Sequence, residues 1–155
     1  MKEKETTNYF NSSIYLMEQV VTYAKIKGTQ FFKELKMGVT IDQFVALDAV
    51  YSSNDICQRD LSKLILKDRS NTGRILNILE LNGFIKRVIE TKGKRLVKKI
   101  YITQSGKKLV EESIPKLRSA FLQVFENISD KDFMILRETL EKMKLSLSKT
   151  TSIQI

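Results

Sequence analysis

Apolar residues recur at intervals of three and four positions through most of the chain, which is the spacing of one face of an α-helix. This spacing predicts a helix over residues 8–36 and a second helix that begins after Thr40, a residue type that caps helices. A short third helix follows a polar loop. A fourth helix covers about residues 69–82, and the Asn82-Gly83 pair supplies its C-terminal stop.

The pattern changes after Gly83 to the β-branched and alternating composition of strands. Two such runs, FIKRVIE and LVKKIYIT, flank the turn sequence TKGK and predict a β-hairpin. A long helix begins near Thr103, and a last helix follows the cap sequence SDKD. Two short helices with a tight turn, followed by a hairpin, predict a winged helix-turn-helix. The fold class is therefore mainly α with a small β-hairpin.

The helices at both ends carry more apolar surface than a small winged domain can cover, so we expect a homodimer. The last helix has a narrow apolar seam: Phe133, Leu136, Leu140, Met143 and Leu147. The predicted organisation has four parts: an N-terminal dimerisation helix region at 1–38, a winged helix-turn-helix DNA-binding domain at 39–108, C-terminal dimerisation helices at 109–148 and a flexible tail at 149–155.

The formal net charge of +9 is concentrated in one short block. Residues 84–108 carry nine Lys or Arg and one acid, which is +8, while the rest of the chain has 18 basic and 17 acidic residues. A clustered positive charge is typical of proteins that bind the phosphate backbone of nucleic acids. The alternative, a solubilising charged surface, would be better served by an even spread. We therefore predict double-stranded DNA as a partner.

The fourth helix begins with KDRSNTGR, a polar, basic and sterically slim sequence. In a helix-turn-helix the N-terminal end of the second helix enters the major groove, where Arg binds guanine, Asn binds adenine and Ser or Thr reaches bases or phosphates. The candidate DNA contacts on this helix and the one before it are Gln58, Arg59, Arg69, Ser70, Asn71, Thr72 and Arg74.

Gly73 lowers the helix propensity of this segment by roughly 1 kcal/mol relative to Ala. Either a side chain would collide with the DNA backbone there, or the glycine is tolerated on a solvent-exposed face. The apolar remainder of the helix, with Ile75, Ile78 and Leu79, is expected to anchor it to the core.

The predicted hairpin has a thin, basic tip that suits the phosphate backbone and a narrow minor groove. Its candidate DNA contacts are Lys92, Lys94 and Arg95 around Gly93. The alternative is an ordinary solvated hairpin tip.

The composition argues against several classes of protein. The chain has no histidine, the commonest general base, and its single cysteine cannot form an internal disulfide. We expect neither an enzyme nor a cofactor or metal site. No apolar run approaches the roughly 18–20 residues of a membrane span, and the first ten residues lack the apolar segment of a secretory signal. These features predict a cytoplasmic protein without a membrane partner.

The segment CQRDLSKLILKDRSNTGRILNILELNGFIKR, together with YITQSGKKL, resembles the MarR family of bacterial transcriptional regulators. The family pattern has Q-x-x-L-A in one helix, K-S-x-x-T-R-x-L-x-x-L-E-x-x-G-[LF]-[IV]-x-R in the next, and L-T-x-x-G after the wing. The resemblance covers about residues 39–108. Members usually carry an acid two residues before an Arg at the wing tip, and Gly93 replaces it here.

The resemblance implies a homodimer held by the first and last helices that binds a roughly palindromic operator, in most members as a repressor. It also implies release by small aromatic ligands or oxidants in many members. A pocket for such a ligand could involve Tyr15, Tyr23 or Phe31, although aromatic residues on an apolar helix face are usually core.

Cys57 stands at the predicted start of the third helix, where a thiolate would be favoured and could serve as a redox sensor. The alternatives are a poor helix cap or a small core residue, and Asp60 nearby argues against a thiolate. The rival to the whole DNA-binding interpretation is a winged helix that contacts an acidic protein partner.

Overall fold

The computed structural model describes residues 8–53, 56–92 and 95–151, without the side chains of Lys92 and Arg95. The chain divides into two compact units, Met1–Phe44 and Val45–Ile155. The boundary falls inside the second helix, so it differs from the predicted one between residues 38 and 39. The predicted functional division of the chain stays a prediction. No helix within the described ranges is both long enough and apolar enough to cross a membrane.

The first unit consists of a short 3-10 helix (Tyr9–Asn11), the helix α1 (Ser13–Glu34) and the first turn of α2 (Ile41–Tyr51). α1 continues without interruption through Gly28. A Cβ atom at Gly28 would lie 2.9 Å from the Cδ1 atom of Ile41. Gly28 therefore allows α1 to pass close to the start of α2.

Thr40 caps α2 as its sequence predicts. The Thr40 hydroxyl accepts a hydrogen bond from the backbone N–H of Gln43 at 3.3 Å, and the Gln43 side chain accepts one from the Thr40 N–H at 3.0 Å. This reciprocal pair satisfies two donors that the first turn of a helix leaves open.

The second unit contains the winged helix-turn-helix. After α2 come β1 (Ile56–Cys57), α3 (Gln58–Leu64), α4 (Arg69–Leu81), β2 (Ile85–Lys92) and β3 (Arg95–Ile102). The three strands form one antiparallel sheet in the order β1-β3-β2. The hairpin and both helices confirm the predicted fold class. The sequence did not predict β1, because a strand of two residues is too short to show a period.

The core of the second unit is made of aliphatic side chains from each of these elements. Its fully buried members are Ala46, Leu47, Leu61, Leu76, Leu79 and Val110, and Val50, Ile85 and Ile100 are almost as well covered. Leu64 of α3 lies outside this core and is 59 % exposed.

The wing is joined to the next helix by a close backbone contact. The helix α5 (Gln104–Val124) is capped by Thr103, and a Cβ atom at Gly106 would lie only 2.1 Å from the carbonyl oxygen of Phe84. No side chain fits at that distance. Gly106 therefore lets the first turn of α5 contact the backbone of Phe84, the residue that precedes β2.

The last helix, α6 (Asp130–Thr150), begins at the predicted Ser129 cap, whose hydroxyl accepts from the Asp132 N–H at 3.2 Å. The helix includes Lys149 and Thr150, which the sequence analysis placed in a flexible tail, and the flexibility of that tail stays a prediction. Residues 152–155 of that tail lie outside the described residues. α6 buries none of its residues.

Candidate nucleic-acid interface

The N-terminal end of α4 presents polar side chains to solvent. Asp68 is its N-cap and accepts a hydrogen bond from the backbone N–H of Asn71 at 2.8 Å. Four of the predicted contact residues on this helix are exposed: Arg69, Ser70, Asn71 and Arg74. Since an N-terminal helix end also carries positive dipole charge, this surface suits an anionic partner.

Asp68, Asn71 and Arg74 form a chain of hydrogen bonds along one side of the helix. The Asn71 Nδ2 group donates to the Asp68 carboxylate, and the Asn71 Oδ1 atom accepts from Arg74 Nη2 at 2.6 Å. The hydrogen bonds from Asn71 hold the pKa of Asp68 below its usual range. Asp68 was not among the predicted site residues, although an Asp immediately before a helix is a recognisable N-cap signal.

Thr72 is a correction to the predicted contact set. Its side chain is fully buried, and its hydroxyl donates to the Asp68 carbonyl oxygen at 2.9 Å. A side chain that faces the core cannot reach a base edge. Thr72 belongs to the anchoring side of α4 with Leu76 and Leu79, whereas Ile78, predicted as an anchor, is 42 % exposed.

Gln58 connects α3 to the start of α4. Its Nε2 atom donates to the carbonyl oxygen of Arg69 at 3.0 Å, and a Cβ atom at Gly73 would lie 3.2 Å from the same nitrogen. The half-buried Gly73 therefore makes room for the Gln58 amide. This is neither of the two explanations that the sequence suggested. Arg59, the next candidate on α3, is exposed.

The C-terminal half of α4 is tied to the wing by an ion pair. The Arg87 side chain donates from Nε to the Glu80 carboxylate at 2.9 Å, and its Nη2 atom donates to Asn77 Oδ1 at 2.8 Å. The hydrogen bond from the Arg87 side chain lowers the pKa of Glu80. These two residues match the L-E and final R positions of the sequence pattern, and they hold the hairpin against the helix.

Not every Lys or Arg in the basic block, residues 84–108, has its charge available for binding DNA. Arg87 is occupied by Glu80, and Lys99 is buried at 8 % exposure. Lys107 and Lys108 lie 3.8 Å from Glu111 and Glu112 in exposed ion pairs, which bind weakly. On the hairpin, Lys86 and Lys98 are exposed.

The wing tip is where the remaining predicted contacts fall. Residues 93 and 94 lie outside the described residues, and so do the side chains of Lys92 and Arg95, whose backbones pair at the end of the hairpin. The predicted roles of Lys92, Lys94 and Arg95 therefore stay predictions.

Cys57 occupies the N-cap position of α3, as predicted, but its side chain makes no capping hydrogen bond. Its Sγ atom instead donates to the Asp60 carboxylate, at 3.0 Å. The role of Cys57 as a redox sensor stays a prediction.

The three aromatic residues considered for a ligand pocket have different surroundings. Tyr15 packs against the rings of Tyr9 and Phe10, with centroids 5.7 and 4.7 Å away. Tyr23 is 72 % exposed, and Phe31 is buried beneath the ammonium group of Lys27. Their role in ligand binding stays a prediction.

Comparison with known proteins agrees with this geometry. The family model "MarR family" matches residues 39–97, which contain α3, α4 and most of the hairpin. This segment of the chain is therefore similar to the MarR family. A relative of the chain is YsmB, an HTH-type transcriptional regulator of Bacillus subtilis (strain 168). It is 23 % identical over 83 % of this chain and 86 % of its own.

Two solved structures share the fold of this chain. The MepR–DNA complex of S. aureus has a TM-score of 0.73 and 24 % identity, and the match covers 88 % of this chain and 98 % of MepR. CouR from Rhodococcus jostii RHA1, bound to p-coumaroyl-CoA, has a TM-score of 0.75 and 18 % identity over 89 % and 95 % of the two chains.

Proposed function

We propose that this chain is a MarR-family transcriptional regulator that binds a pseudo-palindromic operator as a homodimer and represses transcription. The observation that carries the proposal is that α4 exposes its polar N-terminal end, while the rest of the helix is anchored by buried side chains. Arg69, Ser70, Asn71 and Arg74 are presented to solvent, while Leu76 and Leu79 hold the helix in the core. A helix with one free polar end can enter a major groove without unfolding its anchor.

Exposed apolar side chains on three helices support the homodimer. α6 alone exposes Phe133, Leu136, Leu140 and Leu147 by 36 to 59 %. α1 exposes Ile14, Val20, Val21 and Ile26, and α5 exposes Ile114, Phe121 and Leu122. Surfaces of this kind mark protein association, and a two-fold dimer would present two copies of α4 to DNA, about 34–36 Å apart. The proposal includes action in the cytoplasm.

The proposal includes release of the protein from DNA by a small molecule, for which there are two candidates. CouR, with the same fold, was solved with p-coumaroyl-CoA, and this supports a small aromatic ligand as a candidate inducer here. An oxidant acting on Cys57, whose Sγ atom donates to the Asp60 carboxylate, is a second candidate.

Selection of duplex fragments from a random pool by the purified protein tests DNA binding. Binding of the selected fragment at two salt concentrations then compares Arg74→Ala with Lys116→Ala, which removes the same charge at an exposed position of α5 away from Ile114 and Phe121. We expect Arg74→Ala to weaken binding by roughly 1–3 kcal/mol and Lys116→Ala to leave it unchanged. Failure to enrich any sequence would contradict the proposal and favour a module that contacts an acidic protein.

A further inference from the structure

We infer that Arg74 is the guanine-reading residue of α4 and that Asn71 is a positioning residue that orients it, rather than a reader of adenine. The inference rests on the proposed DNA-binding function. It goes beyond that function because it assigns different roles to two neighbouring candidates. The observation behind it is the hydrogen-bond chain from Asp68 through Asn71 to Arg74.

The Asn71 amide is engaged at both of its polar atoms. Nδ2 donates to the Asp68 carboxylate and Oδ1 accepts from Arg74 Nη2. The contacts to Asp68 and Arg74 fix the orientation of the amide and leave it one N–H and one lone pair. Reading of adenine by Asn71 would require this remaining pair to face N7 and N6 together in that fixed orientation. The positioning role keeps both observed contacts and needs no such coincidence.

Arg74 keeps the donors that guanine recognition needs. Its guanidinium carries five N–H donors, and Asn71 accepts from one of its nitrogens. Guanine O6 and N7 accept two parallel N–H bonds from such a group. The side chain is exposed, so these donors can meet a base edge without unpacking the helix.

The positioning role has a physical basis in the flexibility of arginine. A free Arg side chain samples many rotamers, and ordering it on DNA costs conformational entropy. Asn71 restricts Arg74 before DNA arrives. Asp68 in turn fixes Asn71 and is itself held at the helix N-cap through the Asn71 backbone N–H at 2.8 Å. The orientation of Arg74 is thus set by the start of its own helix.

A double-mutant cycle on the DNA fragment selected by the unmodified protein tests the inference. Arg74→Ala should weaken binding about tenfold to a hundredfold and remove the preference for G·C at one position in each half-site. Asn71→Ala should weaken binding about threefold to tenfold, the scale of one hydrogen bond, with every base preference retained. The double variant should bind like Arg74→Ala alone.

Asp68→Asn provides a matched control for the helix cap. Asn caps helices as well as Asp, but it has one carbonyl oxygen instead of the two carboxylate oxygens that serve the Asn71 backbone and side chain. We expect this variant to keep its helix content and thermal midpoint and to lose about as much affinity as Asn71→Ala. Full affinity in both variants would overturn the positioning role.

Replacing guanine by 7-deazaguanine at the assigned position separates reading from positioning. The lost N7 acceptor should weaken binding by the unmodified protein and by Asn71→Ala, but should not affect Arg74→Ala. If Asn71→Ala instead lost a preference for A·T, or if the two single losses added in the double variant, Asn71 would be a base reader. If the unmodified protein selects no sequence, the proposed function itself fails, which is a different result.

Discussion

Helices α4 and α6 both leave much of their surface in solvent, but for opposite reasons. α4 has 13 residues, buries Thr72, Leu76 and Leu79, and exposes its polar end. α6 has 21 residues, buries none, and exposes an apolar seam. Polar exposure at the end of an anchored helix suits recognition, whereas apolar exposure along a whole helix calls for a covering partner. The comparison therefore separates the proposed DNA-binding surface from the proposed dimer surface.

The largest expected effect comes from a charge placed in the apolar seam of α6. Leu140→Asp would put one carboxylate from each subunit in the proposed dimer interface. Each uncompensated buried charge should destabilise the dimer by roughly 3–5 kcal/mol. We expect monomers in sedimentation equilibrium and no operator binding. Leu145→Asp, on the opposite face of α6, is the control and should remain dimeric. A dimeric Leu140→Asp protein would place the interface elsewhere.

The next effect tests the anchor of α4. Leu79 is fully buried, so Leu79→Ala leaves a cavity and should lower the free energy of unfolding by roughly 2–5 kcal/mol. Leu81 on the same helix is 86 % exposed, and Leu81→Ala should change stability by about 0.5 kcal/mol or less. Urea titrations at one protein concentration measure both. Similar losses in the two variants would contradict the assigned burial.

The ion pair between α4 and the wing makes stability depend on pH. Because Arg87 lowers the pKa of Glu80 in the folded state, the pair stabilises the protein above about pH 4.3, the usual Glu value, and this contribution is lost as the pH falls through the lowered pKa. Glu80→Gln should cost about 1 kcal/mol at pH 7, since the carboxylate is partly exposed, and should flatten the acid side of the profile.

Urea midpoints between pH 7 and pH 3 measure that profile. Glu112→Gln removes a carboxylate of similar charge in an exposed pair with Lys108, so it should leave the profile almost unchanged. If Glu80→Gln followed the pH dependence of the unmodified protein, the pair would not be the source of it.

The smallest effect concerns the fit between α3 and α4. Gly73→Ala should raise stability by about 0.5–1 kcal/mol when Gln58 is already Ala, because Ala is the better helix former. With Gln58 present, the gain should be smaller, since the new Cβ atom would lie 3.2 Å from its Nε2 atom. Thermal melts of the four proteins in this cycle measure the coupling. Equal gains in both backgrounds would show that Gln58 moves aside freely.

Much of the fold followed from local signals in the sequence. The hydrophobic period predicted the helices, and the caps at Thr40, Ser129 and Asn82-Gly83 marked their ends correctly. The N-terminal part of α4 was correctly predicted to begin with exposed polar residues. Local signals succeed here because capping and helical spacing involve residues within a few positions of one another.

The sequence by itself thus determined the order of the long helices and the hairpin, the family pattern and the concentration of charge near the hairpin. Only the tertiary structure decided which residues in those elements are available. Thr72 turned out to be buried, Arg87 to be held by Glu80, and Gly73 to face Gln58. The reason is that a side chain's exposure and partners depend on elements that contact it from elsewhere in the chain, and sequence spacing within one helix does not contain that information.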